Sequence, residues 1–276
     1  MSRTRDTVAA RQPAPAAAFF FEAATPAGGL WLVLEAGAGV SASCAAEAAW
    51  HLGDAEPLLA GLEAWLAATA PIDAPDWRWH AVAPRAPWPA GAVAHWSDGA
   101  ASARIGLPWA LLRRLPAPPP TLAAALRWEP APALCVLSTL EITPSEQAAL
   151  EPGAVLLLPA SFERTWATTL RADGEAPGPG LAVTLEQPDR PVWRPAAPDK
   201  AHGATWEVRC ALSTPLCPTQ LAGWQPLDDA IALDLRAGLG LWQLPLDASP
   251  RRWASGRLLP WGHGQGLWIE SRHPWT

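Results

Sequence analysis

The sequence predicts an α+β protein that is mainly β, with a mixed N-terminal domain followed by two small, similar β units. Three observations predict this. Short apolar stretches separated by turns dominate from Phe19 onward. Helical periodicity is clear in the segment that opens at Pro57 (PLLAGLEAWLAATA). A faint internal repeat relates the stretch that starts at Leu137 to the stretch that starts at Leu212.

The repeat indicates that two copies of one unit pack together. The copies read LSTLEITPSEQAALEPGAVLLLP and LSTPLCPTQLAGWQPLDDAIALD, and a shift of 74 positions aligns their centres. The matched pairs are Pro144 with Pro218, Ala148 with Ala222, Leu150 with Trp224, Pro152 with Pro226 and, after one or two inserted residues, Trp166 with Trp242 and Leu170 with Leu246. Because a unit this short cannot bury its apolar face alone, it is expected to pair with its copy.

The N-terminal domain is predicted to span 19–132, after a flexible Ala/Pro-rich arm at 1–18. The arm is basic and then apolar, but its prolines and the early Glu22 argue against a secretory signal. The predicted elements are a strand at Gly29–Glu35, a weaker strand at Ala48–Leu52, a helix from Pro57, a strand at Trp77–Val82, a hairpin of Ala92–Trp96 with Ala101–Leu107 around Asp98-Gly99, and a short helix PWALLRRL with Pro108 in its first turn.

The two β units are predicted at 133–186 and 205–272, joined by a Pro-rich linker at 187–204 with little to bury. The first unit holds strands near Ala133–Ser138, Ala154–Leu158, Thr165–Ala172 and Leu181–Glu186, with one helical turn at Pro144–Leu150. The second holds strands at Trp206–Leu212, Ala230–Leu235, Gly240–Leu246, Arg252–Pro260 and Gly266–Ser271, with a short turn at Pro218–Trp224.

Composition excludes several classes of protein. The net charge of −6 argues against a general nucleic-acid binder, which would carry a basic stripe. No apolar run approaches the roughly 20 residues that span a bilayer. The four cysteines lack CxxC spacing, so buried thiols of a reducing cytosol are favoured over disulfides or zinc ligands.

No catalytic constellation is visible, and we expect neither an enzyme nor a cofactor. The sequence has no GxSxG, no GxxxxGK, no GxGxxG before a helix and no HExxH. The six histidines are dispersed, so packed or edge histidines are favoured over a metal site. The pattern at Asp228-Asp229 predicts a turn before a buried strand rather than an acid–base pair.

The 18 tryptophans, with no tyrosine, leave one alternative open. Core or interface packing is the ordinary use of tryptophan. A Trp-rich β module that binds carbohydrate or another ligand is the alternative, although the neighbours of the tryptophans are mostly Ala, Leu and Pro.

The second unit resembles the SPOA domain, the fold shared by flagellar FliM/FliN-like C-ring proteins and their type III secretion counterparts. The family pattern runs from a "L…L..GD.I.L" element through a "v.L…g…..G.l" strand pair to a closing "G.rI" strand. The residues in matching positions are Leu221, Trp224, Asp228, Ile231, Leu233, Leu244, Gly256, Gly266 and Ile269. The first unit matches over a shorter stretch, at Leu150, Gly153, Val155, Leu157, Trp166 and Leu170. Leu227 stands where the family usually has Gly.

Two SPOA-like units after an N-terminal domain are similar to the SctQ (HrcQ/YscQ) family of type III secretion sorting-platform proteins. The resemblance implies SPOA units that pair in an intertwined, pseudo-dimeric way and expose a groove for a partner helix or strand. It implies a cytoplasmic protein, peripheral at the inner membrane. The implied partners are a SctL-like stator protein, a SctK-like adaptor, the cytoplasmic domain of the inner-membrane ring and further SPOA units.

The residues expected at the pairing and partner interface are apolar positions of the two units. They are Leu150, Val155, Leu157, Trp166, Leu221, Trp224, Ile231, Leu233, Trp242, Leu244, Trp253 and Trp268.

Overall fold

The computed structural model describes residues 18–25, 28–35, 45–68, 76–80, 91–97, 102–158, 165–175, 180–186, 192–195, 206–228, 231–236, 238–245, 250–261 and 264–273. Over these residues the protein is mainly β and contains two antiparallel sheets. The prediction of an α+β fold dominated by strands is confirmed at this level. The predicted flexible arm lies outside the described residues, apart from Ala18.

The first sheet has six strands in the described residues, in the order β3-β1-β2-β5-β4-β6. Its strands are β1 (Ala18–Thr25), β2 (Gly28–Glu35), β3 (Arg78–His80), β4 (Gly91–Ser97), β5 (Ser102–Pro108) and β6 (Leu126–Trp128). The accompanying helices are α1 (Ala45–Asp54), α2 (Glu56–Ala67), α3 (Trp109–Leu112) and α4 (Pro120–Ala125). Side chains alternate along β1, so that Phe19 and Phe21 enter the core together with Leu62 and Trp65 of α2.

The second sheet has nine strands in the described residues, in the order β11-β10-β9-β7-β12-β13-β14-β15-β8. The first six strands along the chain are β7 (Ala133–Leu140), β8 (Val155–Leu157), β9 (Thr165–Ala172), β10 (Leu181–Glu186), β11 (Val192–Pro195) and β12 (Trp206–Ala211). The remaining elements are β13 (Leu239–Gln243), β14 (Arg251–Trp261), β15 (Gly264–Arg272) and the short helices α5 (Pro144–Ala149) and α6 (Pro218–Leu221).

The two sheets share one hydrophobic core and are joined by specific contacts. The Trp224 indole packs against Trp65 and Trp128, with ring centroids 5.5 and 6.2 Å away, and donates its N–H to the Leu115 carbonyl at 3.0 Å. Arg113 donates to both carboxylate oxygens of Glu175 through its two terminal nitrogens, Nη1 and Nη2, and the Nη2–Oε2 distance is 2.7 Å. These contacts link the two sheets into one packed structure. The predicted division into domains at 19–132, 133–186 and 205–272 therefore stays a prediction.

Most predicted elements of the first sheet are confirmed, with one clear exception. The hairpin of β4 with β5 and the strand at β2 form where expected. The weak strand predicted at Ala48–Leu52 is wrong, because this segment is the middle of helix α1. Its sequence AAEAAWHLGD is rich in alanine, the best helix former, and it has no β-branched residue.

Two predictions for the second sheet need correction. The predicted strand Ala230–Leu235 forms one bridge, Leu212 with Leu233, because turn bonds such as Ile231 N–H to the Asp228 carbonyl hold the chain there. The interval 187–204 does have something to bury, since β11 adds to the sheet and places Trp193 in the core. The predicted alignment of Leu170 with Leu246 falls on a residue, Leu246, that lies outside the described residues.

Gly106 offers a test of the packing between β2 and β5. It lies directly opposite Trp31, and a Cβ at this position would overlap the Trp31 indole. We expect Gly106→Ala to lower the free energy of unfolding by about 1–3 kcal/mol, because the ring must leave its place. Gly53→Ala in helix α1, where a new Cβ meets nothing within 4 Å, is the control and should raise it by about 0.5 kcal/mol. Urea unfolding of both variants measures the difference; equal effects would contradict the packing described.

Candidate functional site

The centre of the second sheet is the antiparallel pair of β7 and β12, one strand from each repeat. Cys135 lies directly opposite Cys210 in this pair. The two cysteines occupy the same position in the two copies, because both precede the matched leucines Leu137 and Leu212 by two residues. An approximate twofold axis of the repeat therefore passes between them.

Strand order on either side of this centre follows the same symmetry. β9 flanks β7 and β13 flanks β12; β10 and β14 come next, then β11 and β15. Leu170 pairs with Cys135, whereas Leu239 pairs with Cys210. Leu239 therefore takes the place equivalent to Leu170 in the register of the sheet.

Strand β8 breaks the division of the sheet into two separate halves. It belongs to the first repeat, yet it pairs with β15 at the far edge of the second, with Leu156 opposite Leu267. At the other edge, the Trp193 indole of β11 donates a hydrogen bond of 3.0 Å to the carbonyl of Ile231, in the second-repeat segment that corresponds to β8. Each repeat thus places its post-helical segment against the outermost strand of the other.

The short helices confirm that the repeat is structural. Both α5 and α6 begin with a proline, and both start with a capping box. In the first, Glu146 accepts from the Thr143 backbone N–H at 2.8 Å, and the Thr143 hydrogen bonds lower the pKa of this carboxyl. In the second, Gln220 accepts from the Cys217 backbone N–H at 3.0 Å.

The predicted interface residues fall into two groups, with Trp224 between them. The first is buried in the core and comprises Leu150, Trp166, Leu221, Ile231, Leu233 and Trp253. Trp253 meets Trp206 edge to face at a centroid distance of 5.6 Å. Trp224 is partly buried against the first sheet, so its ring already has partners within the chain. These residues hold the sheet and its helices together.

The second group lies outside that core and comprises Val155, Leu157, Trp242, Leu244 and Trp268. Trp166 and Trp242, which the sequence aligns, face opposite sides of the sheet. Trp166 is in the core, whereas the Trp242 ring lies under the Arg209 guanidinium at 4.9 Å. Strand register explains the difference, since the core positions of β13 are Leu239 and Leu241.

Apolar side chains gather on one face at the β8 edge. Register pairs Val155 with Trp268 and Leu157 with Gly266, and Gly266 in turn with Leu259. Trp261 follows on the same face of β14, because side chains alternate along a strand. We call Val155, Leu157, Leu259, Trp261 and Trp268 the outer edge surface.

The outer edge surface is partly open to solvent, since Leu157 and Trp261 are exposed and its other three residues are half-buried. Leu157 is 56% exposed and Trp261 is 55% exposed. The Arg257 guanidinium lies 4.0 Å from the centre of the Trp268 ring. Sequence periodicity missed Leu259 and Trp261, because they lie in the more exposed second half of a strand whose first half is largely buried. Exposed apolar side chains at a sheet edge make this surface a candidate for protein association.

A buried charge cluster lies on the face of the sheet opposite the core. Glu207 of β12 forms an ion pair with Arg171 of β9 and accepts a hydrogen bond of 2.7 Å from Arg209 Nε. All three side chains are almost completely buried. Burial lowers the pKa of Arg209, and the charge of Glu207 opposes that shift. The alternation of Glu207 and Arg209 in TWEVRCALS is the sequence signal that could have located it.

Cys135 and Cys210, on either side of the approximate twofold axis, are completely buried. Burial raises the pKa of Cys135 to about 12 and also raises the pKa of Cys210. Both thiols are free, as is Cys217. Since the thiolate is the reactive form, Cys135 and Cys210 act as small apolar side chains.

We expect stability to fall as the pH rises above 9. Below the ordinary thiol pKa of 9.0 both folded and unfolded chains are protonated; above it the unfolded chain releases protons that folded Cys135 keeps up to about 12. The free energy of unfolding should drop by up to about 1.4 kcal/mol per pH unit for each buried thiol. The chain has no tyrosine and one lysine, so few other groups titrate there. Urea unfolding at pH 8 and 10.5 measures how the free energy of unfolding changes with pH. If the double variant Cys135→Ala/Cys210→Ala showed the same change, the two buried thiols could not be its cause.

The remaining side chains that could bind a metal or transfer a proton lie at separate places in the described residues. Among the described residues no three of His, Cys, Asp and Glu come together as a metal site. His80 lies 3.4 Å from Glu22 and His51 lies 3.2 Å from Asp54, while His95 pairs with Glu129, so these three histidines each face a different carboxylate. In the part of the chain described, every helix is too short or too polar to cross a membrane.

Comparison of the chain with protein-family models, with curated proteins and with solved structures finds no match.

Proposed function

We propose that this chain is a scaffolding component of the cytoplasmic sorting platform of a type III secretion system, a SctQ-type protein with two SPOA units paired in one chain. The placement of β8 beside β15 carries the proposal. An intertwined pair requires that each unit supply a segment to the edge of the other, and the bond from Trp193 to Ile231 is the counterpart on the second side. The role is assembly rather than catalysis, at the cytoplasmic face of the inner membrane.

The outer edge surface is the proposed docking site for the SctL-like stator protein. Exposed Leu157 and Trp261 supply anchors of the kind that dominate protein interfaces. Strand β8 is also an edge strand, so a partner segment can add to its backbone while its apolar side chains cover the surface. A SctK-like adaptor and the inner-membrane ring domain are further partners under this proposal.

The test is co-purification of the full chain with a SctL-like protein, followed by mass measurement. Leu157→Asp with Trp261→Asp should weaken the complex at least tenfold, because a charge replaces each anchor. Trp50→Asp is the matched control, since Trp50 is 73% exposed but lies on helix α1 beside the first sheet. It should leave binding unchanged.

Two outcomes would overturn the proposal. One is a chain that stays monomeric and binds none of the platform proteins. The other is a rise in melting temperature with soluble sugars that is lost in a tryptophan variant, which would favour the carbohydrate-binding alternative. Circular dichroism of each variant checks that the fold is retained.

A further inference from the structure

A cavity of about 390 Å³ lies beside the buried charge cluster, on the face of the second sheet opposite the core. Its walls combine charged and apolar side chains. The charged residues are Arg209, Arg252, Asp173 and Asp234. Apolar contributors include Leu134, Leu212 and Trp242. Its size is at the lower end of the roughly 300–1,000 Å³ typical of small-molecule sites.

Arg209 is the best-placed cation in this wall. Its side chain is only 6% exposed. Its Nε is engaged by Glu207, but its Nη2 is buried and has no acceptor among the described residues. A buried guanidinium N–H without an acceptor is unfavourable, and a ligand oxygen that reaches it removes that penalty.

The neighbouring Arg171 also has buried N–H donors without an acceptor in the part of the chain that the structure describes. Glu207 is shared between Arg171 and Arg209, and Arg171 also has two buried nitrogens, Nε and Nη1, without an acceptor in the described chain. Asp173 and Asp234 line the cavity, yet neither accepts from these nitrogens. Asp173 is exposed to solvent and accepts instead from the backbone N–H of Gly174 at 3.0 Å.

From this geometry we infer that the cavity binds a small organic acid, with its carboxylate on Arg209 and its apolar body against Leu134, Leu212 and Trp242. Carboxylate is the natural partner of a guanidinium group with free N–H donors. The apolar wall favours a ligand with a hydrocarbon or aromatic body over a bare inorganic anion. This site lies apart from the outer edge surface, and the inference does not depend on the proposed assembly role.

The experiment is calorimetric titration of the full chain with phenylacetate, its neutral analogue phenylacetamide and inorganic phosphate, at matched ionic strength. We expect saturable binding of phenylacetate with Kd on the order of 1 mM. Phenylacetamide and inorganic phosphate should bind at least tenfold more weakly, because the first lacks the charge and the second lacks the apolar body.

Two variants and a control locate the binding. Arg209→Met should reduce phenylacetate affinity at least tenfold. Leu212→Phe narrows the cavity without touching the charges and should also reduce it, which keeps the test valid if Arg209→Met fails to fold. Arg257→Met, at an exposed arginine that also lies over a tryptophan ring, should leave affinity unchanged. Equal binding of acid and amide, preference for phosphate, no saturable binding, or equal loss in the control would each overturn the inference.

Discussion

Glu207→Ala is expected to lower the free energy of unfolding by about 3–5 kcal/mol, since it strips two buried guanidinium groups of their shared carboxylate. Arg171 and Arg209 both bind Glu207, and all three are nearly inaccessible to water. Removing one partner of such a cluster leaves uncompensated charge in a medium of low dielectric constant. Chemical denaturation at pH 7 gives the free energy directly.

Glu270→Ala is the matched control for this prediction. Glu270 pairs with Arg257 at 3.4 Å, but both side chains are substantially exposed. Water screens such a pair, so the change should cost no more than about 1 kcal/mol. Replacing all three members of the cluster by apolar residues of similar volume should restore most of the loss. Similar losses for Glu207→Ala and Glu270→Ala would show that the cluster is not buried as described.

The second large effect is expected at Trp206, where truncation to alanine should cost about 3–5 kcal/mol. Trp206 is 2% exposed and lies in β12, between Leu140 of β7 and Gln243 of β13. Its ring meets Trp253 at an interplanar angle of 89°, the edge-to-face arrangement that aromatic pairs favour. Thermal and urea unfolding should report the same loss.

Trp261→Ala makes the same chemical change at an exposed position and should stay within about 0.5 kcal/mol of the parent chain. Trp206→Phe should fall between the two, since it keeps an aromatic ring but leaves part of the site empty. If Trp206→Ala behaved like Trp261→Ala, the centre of the second sheet could not be the packed core described above.

Sequence patterns predicted the helices and strands that are determined by neighbouring residues in the chain. The hairpin of β4 and β5 follows from alternation around Asp98-Gly99, and α2 follows from its proline and its apolar stripe. Helix α1 was missed because the five residues Ala48–Leu52 were interpreted alone, and so short an apolar stretch does not distinguish a strand from part of a helix. Its alanine content was the better guide.

Long-range pairing was predicted only in part. The repeat indicated that two units pack together, and the symmetric order of the second sheet agrees with this. Register could not be read from the sequence, because the bulge between Val208 and Arg209 changes which residues face each other. Trp166 and Trp242 were matched across one or two inserted residues, and they lie on opposite faces because a shift of one residue turns a strand position to the other side of the sheet.

The candidate sites likewise divide into residues that a local pattern identifies and residues that only the assembled sheet brings together. Core positions such as Leu221 and Ile231 were identifiable from hydrophobic pattern, and both are buried. The outer edge surface depends on which strand is last in the sheet, which no local pattern encodes. Arg171 lies on a different strand from Glu207 and Arg209, so the buried charge cluster exists only once β9, β7 and β12 are assembled.

The position of β8 has a consequence for synthesis on the ribosome. Its partner β15 lies about 110 residues further along the chain. At roughly 5–20 residues per second, β8 waits about 5–20 s before the strand that covers it is made. During that interval the first repeat has an apolar segment without its partner, which a second nascent copy of the same chain could cover instead. Growth at high expression should therefore produce strand-swapped dimers, and slower initiation should favour the monomeric fold.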